Sequence, residues 1–214
     1  MEANIYHVFN KSIAGYKIFN KREEFSRMLN TIRYYQIENP PVKFSKFIRG
    51  EADFNEKIKD LFSKSDNEKL VEIIAYCIMP THIHLILKQL KDGGITKFTR
   101  NVCNSYSHYF NLKHKRKGPL WEGRSKRVLV KSDEQLIHLT RYVHLNPVTS
   151  YLVNTPEQWH ASSYNEYLSN IERKDKICYF RDLLDIDPVS YKEFVDDQIS
   201  YQRELKKIKD LCLE

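Results

Sequence analysis

The chain has 214 residues and 25.6 kDa, and its 35 Lys and Arg against 28 Asp and Glu leave a net charge of +7. Its 41% hydrophobic and 13% aromatic content excludes wholesale disorder, and six Gly and seven Pro exclude collagen-like or low-complexity architecture. No apolar run approaches the roughly 20 residues of a membrane span, and the start, MEANIYHVFNKSIAGYK, has no basic-then-apolar signal pattern, so a cytoplasmic location is expected.

Taken in order, Tyr6–Ile13 alternates as a first strand. From Lys21 to about Asn39 the period becomes helical, with Phe25, Met28, Leu29, Ile32 and Tyr35 three and four apart and Pro40-Pro41 as the stop. Residues 40–70 read as a connecting insertion, with a short helix around Asn55–Ser63. Val71–Met79 (VEIIAYCIM) and His82–Gln89 (HIHLILKQ) form the clearest pair of strands, joined through Pro80-Thr81. Ile95 to about His114 is a helix broken by Gly118-Pro119, and Arg124–Lys131 is a fourth strand. Ser132, with Gln135 three residues on, caps a further helix that should end near Pro147. Beyond it the chain reads as amphipathic helices, with Pro156 and Pro188 as helix starts.

This succession predicts an α+β fold: a ferredoxin-like split β-α-β-β-α-β antiparallel sheet over residues 1–148, followed by a helical extension over 149–214. The tail from 169 onward carries no legible motif. Cys77, Cys103, Cys178 and Cys212 form no CxxC pair, so reduced and mostly buried thiols are expected rather than a zinc ribbon.

The positive charge is local. Nine basic residues and one acid, Glu122, lie between 97 and 127, a segment of +8 on a chain otherwise at −1. With aromatic residues interleaved, that pattern is a footprint for nucleic acid, because rings stack on bases while cations hold phosphates. The candidate contacts are Arg100, Lys113, Lys115, Arg116, Lys117, Arg124, Lys126 and Arg127, with Trp121 as a stacking platform or a core residue. Six of the cations on phosphates would give a single-strand salt slope of about −4.

His82-Ile83-His84 is the strongest chemical signal. Period two puts both imidazoles on one face of a strand, with Ile83 and Leu85 turned to the core. Two imidazoles can chelate a divalent cation but do not complete a metal site, and a lone pair of this kind is more often structural or incidental. On the capped helix, His138, Tyr142 and Asn146 fall at i, i+4 and i+8, along one stripe. Tyrosines of this kind are commonly packing residues, and Asn before Pro commonly ends a helix.

The stretches YHVFNKS, AYCIMPTHIHLIL, NSYSHYFN, GPLWEGRSKRVLV and LTRYVHLNPV, in this order and spacing, resemble the HUH single-tyrosine transposases, and among them the REP-associated tyrosine transposases. The resemblance covers roughly residues 5–168. Thr81 departs from the Asn usual in that family, as do Trp121, Ser125 and Thr149-Ser150 from their usual residue types. The resemblance implies a metal-dependent single-strand DNA endonuclease and strand transferase. In that scheme Tyr142 is the nucleophile, His82 and His84 are paired ligands, and Asn146 is a third ligand for Mg²⁺ or Mn²⁺. It also implies a 5′-phosphotyrosine intermediate, a hairpin-associated single-stranded DNA partner and a monomer or homodimer. The alternative is a non-catalytic hairpin DNA- or RNA-binding protein on the same fold.

Overall fold

The computed structural model describes residues 4–49, 53–63, 68–168 and 177–211. Four strands, β1 (Ile5–Lys11), β2 (Val71–Met79), β3 (His82–Gln89) and β4 (Lys126–Leu129), form one sheet in the order β2-β3-β1-β4, antiparallel at every pairing. Helix α1 (Arg22–Tyr34) follows β1, and α4 (Gly94–Lys113) joins β3 to β4. With the short helices α2 (Phe44–Phe47) and α3 (Phe54–Ser63) set aside as an insertion, strands and helices run in the expected order.

Several boundaries move. The first helix ends at Tyr34 rather than near Asn39, because Ile37 leaves it to bridge Lys69. Phe44, Ile58 and Leu61 of the insertion form a small second core with Tyr34 and Ile37, where the sequence suggested a connection without one. β4 is four residues long and fully exposed, shorter than Arg124–Lys131. Helix α5 (Asp133–Thr149) runs past Pro147, which sits in its last turn. Its start is as expected: Ser132 Oγ accepts from Gln135 N at 3.1 Å. Cys77, Cys103 and Cys178 are buried; Cys212 lies outside the described residues.

The sheet has two dressed faces. Period two turns Val8, Asn10, Ile83 and Leu85 toward α4, which packs against α1; Tyr106 Oη of α4 donates to Ile18 O at 2.7 Å. The opposite face receives α5 across β2 and β3. The two sheet edges differ. Ala161–Ser163 pair with the outer edge of β2, through Ile78 N to Ala161 O at 2.9 Å and Ser163 N to Tyr76 O at 3.0 Å. That cover satisfies backbone groups a bare edge would expose, whereas β4 is left open. β4 carries Lys126 and Arg127, the charged kind of edge that resists pairing with other chains.

The extension is built into the same core. Helices α6 (Tyr164–Leu168), α7 (Pro188–Asp196) and α8 (Ile199–Leu211) follow α5, and Ala161, Tyr164, Tyr167, Tyr191 and Val195 are buried with the sheet residues. His144 of α5 is the polar joint: its Nδ1 hydrogen-bonds Tyr191 Oη and its Nε2 hydrogen-bonds Ser163 Oγ, each at 2.7 Å. Arg203 of α8 donates to Val148 O at 3.3 Å and Val153 O at 3.2 Å, closing the C-terminal end of α5.

Burial lowers the pKa of His144 from 6.5 to about 3. The unfolded chain therefore takes up this proton first, and the stability tied to His144 is whole above pH 6.5 and is lost as pH falls toward 3. Between pH 6.5 and 5 this one group should remove about 2 kcal/mol, at about 1.4 kcal/mol per pH unit. His144→Gln should be less stable at pH 7 yet lose about 2 kcal/mol less between pH 6.5 and 5, as urea denaturation at the two pH values would show.

Candidate active site

The register of β1 against β3 assembles the site. Phe9 lies opposite His84 and Lys11 opposite His82, so His7, Phe9 and Lys11 share a face with both histidines. Cys77 and Met79 of β2 sit across from His84 and His82 on the other flank. The two rings of the HIH segment stand 5.0 Å apart at 85°, and Ile83 and Leu85 are buried on the opposite face as expected. His7 Nε2 lies 2.9 Å from His84 Nδ1, with the rings stacked at 18°. His82 Nδ1 is held in the same manner by Thr81 Oγ1 at 2.9 Å. Thr81, a departure from the family pattern, thus orients the ring beside it.

All three imidazoles are neutral at pH 7. Burial lowers His84 to about 2, aided by the charges of His82, His7 and Lys11. Burial likewise brings His82 to about 4, with Lys11 adding to the effect, and His7 to about 4. Neutral rings keep a bare nitrogen available as an electron-pair donor.

α5 lays Tyr142 over this cluster. Its ring meets His84 edge-on at 5.7 Å and His7 at 6.1 Å, while the residue stays 46% exposed, so the phenol is packed on one side and open on the other. Asn146, one turn on, donates from Nδ2 to Tyr142 O at 2.9 Å. His138, the first of the helical stripe, points elsewhere and pairs with Arg141 at 2.8 Å.

The donor set suits a hard or borderline cation. In His82, His84 and Asn146 one polar atom is tied to the protein, and His82 Nε2, His84 Nε2 and Asn146 Oδ1 have no protein partner among the described residues. Two imidazole nitrogens and an amide oxygen fit Mn²⁺ or Mg²⁺ with further oxygens from substrate or water. Among the described residues no group of three or more His, Cys, Asp or Glu side chains is placed to hold a metal, so Asn146 would have to provide the third protein ligand.

The cations of the +8 segment divide. Arg100, Arg124 and Arg127 line a cleft of about 580 Å³ between α4, β1 and β4, together with Asn10, Asn104 and Ser125. Lys126, opposite Phe9, belongs to the histidine face instead. Among the described residues none of these four is in an ion pair. Lys115 and Lys117 are exposed in the turn after α4.

Three of the candidate contacts have partners within the fold. Lys113 is held by Glu23 at 3.2 Å and by the buried Glu24 at 3.4 Å, so its charge is already answered within the fold. Arg116 is spent on the turn, donating to Asn111 Oδ1, Gly118 O and Pro119 O. Trp121 is 7% exposed, donates from Nε1 to Cys103 O at 3.2 Å and packs at a tilt against Phe19 and Tyr106. It is a core residue with an edge on the cleft, not an open platform.

His7 and Lys11 fall outside the residues that the motifs single out. Both stand in YHVFNK, whose alternation puts them on one face, but only the pairing with β3 says that this is the histidine face.

Fold and site together describe a class: an antiparallel sheet bearing a histidine pair, faced by a helix with an open tyrosine. The family model described as "Transposase IS200 like" matches residues 41–146. A Haemophilus influenzae protein, assigned by inference as a REP-associated tyrosine transposase, is 24% identical over 126 residues, 53% of this chain and 70% of its own. A solved REP-associated tyrosine transposase bound to a REP hairpin superposes with a TM-score of 0.50 at 16% identity, covering 84% of this chain and 90% of that one, a likeness of fold. The resemblance to the single-tyrosine transposases, and among them to the REP-associated ones, carried by the motifs, is borne out. Among the described residues no helix is long and apolar enough to cross a membrane.

The division of cations is testable by salt titration of single-stranded oligonucleotide binding. Arg124→Met should flatten the slope by about 0.7, the loss of one single-strand phosphate contact. Lys113→Met should leave the slope unchanged and lower stability instead.

Proposed function

We propose that this chain is a metal-dependent single-strand DNA endonuclease and strand transferase that acts on hairpin-associated DNA through Tyr142. The observation that carries this is Tyr142 itself: an exposed phenol seated edge-on over His84 and His7, in a chain whose relatives are tyrosine transposases.

Tyr142 Oη attacks the phosphorus of a DNA phosphodiester. The Oη–P bond forms and the P–O3′ bond breaks, leaving a 5′-phosphotyrosine and a free 3′-hydroxyl. The phenol gives up one proton and the departing O3′ takes one, so the step consumes none. The linkage keeps the energy of the broken ester, and another strand's 3′-hydroxyl can reverse the step and rejoin DNA. Neutral His82 and His84 through Nε2, and Asn146 through Oδ1, would hold a divalent cation. Mg²⁺ or Mn²⁺ bound there would polarise the scissile phosphate.

The rest falls to this chain's own groups. α5 fixes the direction of the phenol, because Ser163, Tyr191 and Arg203 anchor the helix by its other side and its end. Lys11 and Lys126 lie on the histidine face beside His82 and Phe9, where an ammonium can hold a phosphate oxygen as a point charge. Arg100, Arg124 and Arg127 grip neighbouring phosphates from the cleft. Burial of His84 at 6% exposure limits the water that competes at this end of the site.

Labelled single-stranded hairpin DNA incubated with the protein and Mn²⁺ should give a covalent adduct on a denaturing gel, and Tyr142→Phe should give none. An adduct that survives Tyr142→Phe would falsify the assignment of the nucleophile. Tight binding with no adduct from any substrate would identify a hairpin-binding protein that does not cut.

A further inference from the structure

The structure assigns His7 a role outside the motif ligands: we infer that it is the positioning residue that keeps the proton of His84 on Nδ1 and so leaves Nε2 bare toward the metal. The assignment rests on the metal reading above.

The geometry allows few alternatives. His7 Nε2 and His84 Nδ1 are 2.9 Å apart, and between two neutral rings one of these atoms donates and the other accepts. If His7 donates, the single proton of His84 must sit on Nε2, and the ring cannot ligate. If His7 accepts, His84 carries Nδ1–H and presents a lone pair at Nε2. Metal-ligating imidazoles are generally fixed in this second way, by an acceptor on the nitrogen that does not bind the metal.

His7 is itself unsuited to be a ligand through Nε2, because that atom already faces His84. Its place is also structural for the reacting group, since its ring meets Tyr142 at 6.1 Å and stacks on His84 at 5.2 Å. One side chain thus touches both the proposed nucleophile and the more buried of the two histidine ligands. Thr81 serves His82 in the corresponding position. β1 lies before residue 41, where the match to the family model begins.

Two variants separate orientation from mere filling of space. His7→Phe keeps a ring of similar shape and removes the acceptor. His7→Gln restores an acceptor at about the reach of Nε2. Two measurements on the full chain read the outcome. Long-range ¹H–¹⁵N correlation of the metal-free protein at pH 7 reports which nitrogen of His84 is protonated, and Mn²⁺ titration followed by electron paramagnetic resonance reports affinity.

Wild type should show His84 protonated on Nδ1, and His7→Phe should lose that single tautomer. Mn²⁺ affinity should fall about 10-fold or more in His7→Phe, and largely return in His7→Gln, as expected for an outer-shell partner. Protonation of wild-type His84 on Nε2, or equal Mn²⁺ affinity in wild type and His7→Phe, would overturn the assignment. A wild-type chain that shows Nδ1–H on His84 but binds no Mn²⁺ would overturn the metal reading itself, and with it the purpose given to His7.

Discussion

Slip β1 by one residue against β3 and the site is gone. His7, Phe9 and Lys11 would turn to the face that carries α4, and Val8 and Asn10 would meet the histidines instead. The register is held from both faces. Val8 at 2% exposure and Leu85 at 1% lock one side, and the His7–His84 hydrogen bond with its stacked rings locks the other. A central strand paired on both sides and buried on one face has little freedom to slide, which gives imidazoles on two different strands a fixed separation.

The tyrosine depends on a second layer of restraint. α5 crosses the sheet on the histidine face, and the extension holds it there. Ser163 is the hinge of that arrangement, pairing by backbone with the β2 edge and by its hydroxyl with His144. His144 is satisfied at both ring nitrogens inside the core, so burying it adds direction without leaving an orphan polar atom. Arg203 then takes up carbonyls at the C-terminal end of the same helix, where the dipole favours a cation. The extension is thus part of what aims Tyr142, and it shares one core with the sheet.

Charge is arranged around a sheet edge rather than along a patch. β4 alternates Lys126 toward the histidine face with Arg127 toward the cleft. Opposing cations line the thin open edge between these two surfaces, and a polyanion can be held on either side of it. Burial of the neighbouring histidines in their neutral form keeps them from adding positive charge, so the local field is set by Lys11, Lys126 and the arginines.

The two strands of the HIH hairpin, the capping Ser132 and the spacing of Tyr142 and Asn146 were legible because they are short-range. Strand alternation, an N-cap and one helical turn are each settled within a few residues of chain. The partners of Lys113 and Trp121 were not legible for the opposite reason: Glu24 and Cys103 lie 89 and 18 residues away, and no local pattern names them. His7 and Lys11 were overlooked on the same ground, since a strand's alternation says which residues share a face but not what that face meets. The sequence by itself determined the elements and the residue types of the chemistry. Tertiary structure alone decided which cations are free, which strand completes the histidine pair and what aims the tyrosine, because each of these is a contact between segments far apart in the chain.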